Sequence, residues 1–510
     1  MSSTFFGLTI AYTGLQAANT AINTTAHNVS NINTEGYARQ QAQVEAAKAL
    51  RTYAGYGTLG AGIVVNSISQ IRDTYYDVKY RNNMSNLGQY EVMHSYMTSI
   101  EDYLNEFAVE SYKASYENIF LSLEELKKTP QEEAARNGVI NAAKSFADYF
   151  NNLSKNLTNV QKDLNEEIKA KVNQVNTIAQ NIAALNKQIN QVEASAGTAN
   201  DLRDKRNVLI DELSSIANIE SKETEIGNGL TYFSVTLNGQ PLVENYNYNT
   251  LQTTAKEDKR NASDAEGMYD INWSSGLSFD EYSSQLGGEL RALIDLRDGC
   301  DDCYEKVVTD GSGNKSLEIE LSVDYNTSYK GIPYYQAKLN EFVQLFTDKI
   351  NQVFTAGETI DGKPGVPLFT IKYEDSPMSA SSIAVNDALI KDQSLLATTT
   401  AHNKGESFSD LVDNLISICN EKVFNGGTGS YFLESIIATV AIDSEQATKF
   451  QANYTNLKNT IQNQRLSVMG VDEDEEGMDL IKFQQAYNLN AKMMSVMNEI
   501  YNKLINEMGV

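Results

Sequence analysis

The chain has 510 residues, 41% hydrophobic and 21% charged, with a formal charge of −26 and three cysteines. That length exceeds what one hydrophobic core organises, so roughly two to four domains are expected. The acidic balance argues against nucleic acid and against anionic membrane surfaces, both of which reward clustered Lys and Arg. Cys300, Cys303 and Cys419 are too few for a disulfide-built scaffold, and the odd count leaves at least one thiol unpaired.

No Lys or Arg precedes Arg39, so the charged start of a secretory signal peptide is missing, and no apolar run approaches membrane-spanning length. Within residues 7–40 Leu8, Leu15, Ile22 and Val29 recur every seven residues, with small Ala11, Ala18 and Thr25 between them. This is the spacing of a narrow helix-pairing seam. At the other end Leu480, Tyr487, Met494, Tyr501 and Met508 recur at the same interval, joined by Phe483, Met497 and Leu504. A seam needs a facing helix, and the two ends are expected to pair. These large residues are the predicted assembly interface.

All six prolines lie between Pro130 and Pro377, which frees both flanks for long helices. Tyr90, Met93, Met97, Ile100, Leu104 and Phe107 keep helical spacing, and that face continues towards Leu126 until KKTP stops it. Residues 137–195 predict the longest internal helix. Leu157, Leu164, Ile178, Leu185 and Val192 form one seven-residue series, broken by Lys171; Ile168, Val175, Ile182 and Ile189 form another, broken by Gln161. Such breaks favour packing within the chain over an uninterrupted coiled-coil dimer. After Ile219 the texture changes to LTYFSVTLNGQPLVENY, where Asn238-Gly239 predicts a type I′ hairpin turn. Residues 309–332 predict a second strand region after a turn. Helical spacing resumes at Tyr335 and dominates from Phe408 to the end.

Candidate sites are few. The run DEDEEG from Asp472 invites a calcium reading, but the twelfth position is Phe483, where a bidentate Glu is needed. The favoured reading is an acidic helix start, with Asp472 and Glu475 meeting the positive end of the dipole. Cys300 and Cys303 have zinc-ligand or redox spacing without a second pair or a neighbouring His, which leaves a local disulfide, inert thiols or a metal shared between subunits. His27, His94 and His402 are scattered, and no nucleophile elbow, phosphate loop or dinucleotide fingerprint occurs. No catalytic set, metal site or cofactor is expected.

Several motifs carry one resemblance. GLQAANTAINTTAHNVSNINTEGYARQ is similar to the signature shared by rod, hook and hook-associated proteins, and Gly36-Tyr37-Ala38-Arg39-Gln40 is the junction-protein variant of its ending. Further similarity runs through TPQEEAARNGVINAAKSFADYF, IAALNKQI, ANDLRDKRNVLIDELS, VTLNGQPLV, GGELRALIDLRD and GVDEDEEGMDLIKFQQAYNLNAKMM. Over about three-quarters of its length the chain resembles the flagellar hook-associated protein 1 family, the first junction proteins between bacterial hook and filament. Residues 244–286 and 299–330 depart from that pattern, and the two neighbouring cysteines fall in the second of these stretches.

The resemblance implies a mainly α fold with an inserted β region, an elongated multi-domain axial protein whose N- and C-terminal helices pair as a coiled-coil-like terminal domain. The domains expected are 1–33 with 478–510 for assembly, 34–220 with 333–477 as a helical rod, and 221–332 as a β-rich outer domain. It implies an extracellular structural subunit, exported through the flagellar type III apparatus without a cleaved signal peptide. The implied partners are the hook protein, a second junction protein, further copies in a ring, and a cytoplasmic export chaperone at the C-terminal helix, with neither nucleic acid nor membrane. Another axial protein, hook or distal rod, is the alternative; an enzyme or adhesin displayed in the variable region is the remote one.

Overall fold

The computed structural model describes residues 6–51, 58–105, 112–195, 197–227, 229–311, 313, 315–321, 328–401, 409–424 and 426–507. Phe107, His402, Phe408 and Met508, named above, lie outside the described residues. In chain order, helix α1 (Phe6–Ser30) precedes strands β1 (Gln40–Ala46), β2 (Leu50–Arg51), β3 (Thr58–Leu59) and β4 (Ile63–Gln70). Helices α2 (Thr74–Asn105), α3 (Tyr112–Lys128), α4 (Glu133–Glu193) and α5 (Asn200–Ile216) follow. Then come strands β5 (Ile219–Gly227), β6 (Leu230–Leu237), β7 (Gln240–Glu244), β8 (Asn247–Tyr248), β9 (Leu251–Ala255) and β10 (Tyr269–Trp273). Helix α6 (Gly288–Asp298), strands β11 (Cys303–Thr309) and β12 (Lys315–Leu321), and helix α7 (Ile332–Thr355) continue the chain. Strands β13 (Phe369–Ile371) and β14 (Ile383–Val385) and helices α8 (Asp387–Lys391), α9 (Asp410–Ser417), α10 (Gly429–Met469) and α11 (Glu473–Asn506) complete it. The fold is mainly helical with small antiparallel sheets inserted.

The chain divides into two compact units, Met1–Ser85 with Val175–Thr250 and Tyr454–Val510, and Asn86–Gln174 with Leu251–Asn453. Helices α2, α4 and α10 each supply residues to both. Because unbroken helix carries the chain through these divisions, they fall away from the composition changes near residues 220 and 333.

In the first unit β5–β6–β7–β8 form an antiparallel meander. Its central turn is the one the dipeptide predicts: Asn238 and Gly239 take φ of 51° and 74°, and Leu237 pairs with Gln240. Alternate residues Phe233, Val235 and Leu237 of β6 are buried, and β5 contacts α5. Arg206 of α5 stacks 3.9 Å from the Phe233 ring while its guanidinium bonds Glu223 at 2.9 Å. The β1–β4 pair is a feature that hydropathy does not announce. It carries a bulge at Gln43/Val44, and Val44, Ile63 and Val64 are exposed, so no apolar stripe marks it.

In the second unit the core is aromatic. Tyr116 and Phe120 of α3, Phe146 and Phe150 of α4, Phe342 and Phe346 of α7, Phe369 of β13, and Phe424 and Phe432 beside and within α10 are all buried. Neighbouring rings sit about 5–6 Å apart, as in Phe146–Phe346 at 5.1 Å and Phe342–Phe424 at 5.1 Å. The two breaks in the α4 series find partners inside this unit. Gln161 donates to Asp264 and to the Arg297 carbonyl, both at 2.9 Å, and accepts from the Ala265 N–H at 2.8 Å; Lys171 ion-pairs with Glu289.

Candidate functional site at the paired chain ends

Helices α1 and α11, both in the first unit, pack along their lengths. The register is antiparallel. A Cβ on Gly7 would meet Met497 Cε at 2.7 Å, a Cβ on Gly14 would meet Asn490 Oδ1 at 2.6 Å, and Asn28 Nδ2 donates to Glu476 Oε1 at 3.1 Å. Each step of seven residues along α1 matches seven backwards along α11, the repeat of a coiled-coil seam. The buried residues of α1 are Ala11, Gly14, Ala17, Ala18, Ala21, Thr24, Thr25 and Asn28. Small side chains allow close helix approach, since interaxial distance follows the side chains at the contact.

The large residues named from the sequence sit around that line. Leu8, Leu15 and Ile22 are half-buried at its shoulder, and Val29 is exposed. On α11, Phe483, Tyr487, Met494 and Met497 are half-buried and Tyr501 is buried, whereas Leu480 and Leu504 are 37% and 46% exposed. A further strip of α11, about 100° around the helix from the α1-facing residues, consists of Leu489, Met493, Val496, Ile500 and Leu504, all exposed. Strict seven-residue counting from the ends passes over most of it. Among the described residues nothing covers this apolar strip.

Where the helices converge, a polar clamp fixes them. Asn28, 1% exposed, uses its full hydrogen-bonding capacity: Nδ2 donates to Gln40 O at 2.9 Å and to Glu476, and Oδ1 accepts from Gln40 N–H at 3.0 Å and Tyr37 O–H at 2.8 Å. Arg39 donates to Glu476 at 2.6 Å and Glu475 at 2.9 Å, and its backbone N–H donates to Met469 O at 2.8 Å. Although burial works against its charge, these carboxylates raise the Arg39 pKa. Asp472, read from the sequence as a helix-start residue, caps α11 by accepting from Asp474 and Glu475 N–H.

The α5 segment closes the clamp. Gly36, at φ 74°, has room only for hydrogen, since a Cβ would lie 2.2 Å from Val208 Cγ2. Gln40 bonds Asp201 at 2.8 Å and Asn200 at 3.1 Å, and Ala38 N–H donates to Asp204 at 3.2 Å. Burial pushes the Asp204 carboxyl up to about 6, and the Ala38 amide and Arg72 pull against it. From Asp204 an alternating chain runs through Arg72 (3.2 Å), Asp77 (2.6 Å), Arg465 (2.8 Å), Asp211 (2.7 Å) and Arg81 (2.7 Å). Three sequence motifs far apart in the chain, GYARQ, ANDLRDKRN and GVDEDEEGMD, thus meet in one place. Hydropathy could not find this clamp, because its residues are polar and buried.

Residues 97–369 match the family model for the flagellar hook-associated protein FlgK helical domain. Residues 8–37 match the model of flagella basal body rod proteins, and residues 462–507 match the model of the flagellar basal body rod FlgEFG protein C-terminal region. The chain is 29% identical to flagellar hook-associated protein 1 of Bacillus subtilis, covering 100% of this chain and 99% of the relative. It is 26% identical to flagellar hook-associated protein 1 of Escherichia coli, over 97% and 98%. The structure of the flagellar hook junction protein FlgK from Burkholderia pseudomallei superposes with a TM-score of 0.61 at 13% identity, covering 76% of this chain and 100% of that one, a likeness of fold. Among the described residues no helix is long and apolar enough to cross a membrane.

Proposed function

Because this chain belongs to the FlgK family of flagellar hook-associated proteins, we propose that it is a structural subunit joining hook to filament, acting by assembly and not by catalysis. The observation that carries this reading is the pairing of α1 with α11 beside an uncovered apolar strip. A seam of Gly and Ala buries little, at about 0.8 kcal/mol per buried CH2 group, while ordering the backbone costs about 1–2 kcal/mol per residue. Neighbouring subunits supply the missing burial, and the ends order fully on assembly. Leu8, Leu15, Ile22, Val29, Leu480 and Leu504, with the strip from Leu489 to Ile500, are the residues we assign to contacts between subunits.

The partners follow from that role: hook protein on one side, a second junction protein on the other, and further copies closing a ring. The location is extracellular, reached by flagellar type III export without a cleaved signal peptide, with an export chaperone covering the C-terminal helix beforehand. The division into an assembly domain, a helical rod domain and a β-rich outer domain belongs to the same proposal. Electron microscopy of a deletion strain, with flagellin assayed in the medium, tests it. Hooks without filaments and free flagellin in the medium are expected. Normal filaments would overturn the reading, and absent hooks would move the protein down to rod or hook.

A further inference from the structure

The junction role leaves residues 299–303 of the second unit unused. Gly299 ends α6, Cys300 bridges Lys330 in an isolated antiparallel pair, and Cys303 opens β11. Between the cysteines Asp301 and Asp302 both take positive φ, 54° and 58°, and the Cys303 N–H donates to the Cys300 carbonyl at 3.0 Å. Two consecutive left-handed residues closed by this bond are a type I′ turn, whose first and fourth Cα atoms lie within about 7 Å. A disulfide spans Cα atoms about 4.4–6.8 Å apart. The backbone therefore already holds the two cysteines at bonding reach.

The turn is anchored on one side by backbone hydrogen bonds and leads on the other into a hairpin whose first strand is held at Glu305, which accepts from Ser263 at 2.6 Å and Asn340 at 3.0 Å. Asp301 N–H donates to Tyr329 O at 3.2 Å and Gly331 N–H to Gly299 O at 3.0 Å. Just before it, the fully buried Arg297 binds Asp298 through two nitrogens, at 2.9 and 2.6 Å, and Glu281 at 3.1 Å, so the end of α6 is fixed. Beyond it, the β11–β12 hairpin carries exposed Val307, Ile319 and Leu321. Cys300 is 3% exposed on the wall of a cleft of roughly 1160 Å³, and Cys303 is half-buried. Cys419 lies in a separate turn, where burial pushes its thiol up and slows its chemistry.

We propose that Cys300 and Cys303 form a redox staple that fastens the rigid end of α6 to the hairpin. The oxidant is a low-molecular-weight disulfide. The Cys303 thiolate, the more accessible, attacks one of its sulfurs and expels one small thiolate. The Cys300 thiolate then attacks the Cys303 sulfur of the mixed disulfide, forming the Cys300–Cys303 bond and expelling the second. The protein loses two electrons and two protons, and the small disulfide is reduced to two thiols. The inference rests on the turn and stands independently of the flagellar role.

The test is to equilibrate the full chain in mixtures of reduced and oxidised glutathione, alkylate it, and map it by mass spectrometry, with limited proteolysis of residues 303–321 alongside. Loss of two of the three thiols in a Cys300–Cys303 linked peptide, Cys419 remaining alkylatable, and a hairpin cut about threefold more slowly or better are expected. Separate glutathione adducts on both cysteines, a link to Cys419, or a pair that stays reduced would overturn the proposal. Cys300→Ser is expected to retain glutathione on Cys303 and gain no protection. Protection equal to that of the unsubstituted chain would show that the staple is not its cause.

Discussion

The α1–α11 seam is built from Gly14, Ala17, Ala18 and Ala21, whereas the core of the second unit is built from Phe146, Phe150, Phe342, Phe346 and Phe369. Aromatic rings bury large areas and close their own contacts, so that core is satisfied within one chain. A small-residue seam brings two helices close but yields little burial, and α11 keeps Leu489, Met493, Val496 and Ile500 in solvent. The difference teaches that large rings close a core within one chain, whereas a small-residue seam leaves apolar surface that, under the proposed role, neighbours complete.

Charge is handled in matching fashion. In the second unit Arg297 is fully buried, and although burial pushes the Asp298 carboxyl up, Arg297 and Lys256 overcome it and hold it well below the usual carboxylate range. In the first unit burial wins at Asp204, raised to about 6. The pH dependences are opposite in sign. Asp298 contributes stability that is complete above about pH 5 and lost as pH falls below its unfolded value near 4. Asp204 contributes stability present below about pH 4 that is lost as pH rises towards 6.

The largest effect is expected at Arg297→Met, which removes the cation bound to Glu281 and leaves buried Asp298 with Lys256 alone, and should cost about 3–5 kcal/mol in denaturant unfolding of the second unit. Next is Gly14→Leu, whose side chain collides with Asn490. About 1–3 kcal/mol of seam stability in the assembled state should go, together with incorporation into flagella, while the unfolding transition of the aromatic unit stays put. Asp204→Asn is smaller still: it should flatten the decline in first-unit stability between pH 4 and 6, worth about 1–2 kcal/mol over that window. An unchanged pH profile would remove Asp204 from the account. Val496→Asp should shift monomer unfolding by less than about 0.5 kcal/mol, yet abolish incorporation scored by microscopy.

Much of the fold is legible in the sequence because periodicity and turn chemistry are local. The seven-residue interval at both ends, the long helix through Leu157 and Ile182, and the Asn238-Gly239 hairpin can each be read from neighbours in the chain. The line of closest approach between α1 and α11 is less legible, since hydropathy weights Leu8 and Leu15 while close packing selects Gly14 and Ala18 one position away or nearby. The β1–β4 pair escapes because its Gln-rich strands leave valines in solvent. The polar clamp escapes altogether. Asn28, Arg39, Asp204 and Glu476 acquire meaning only when residues hundreds of positions apart meet.

Hydrogen exchange followed by mass spectrometry, on the full chain before and after assembly, tests the contrast between the two regions most directly. In the monomer the amides of α1 and α11 should exchange at the earliest labelling times while those of α7 stay protected, and both terminal helices should become protected in the assembled state. Terminal helices as well protected in the monomer as α7 would contradict the claim that neighbours complete them.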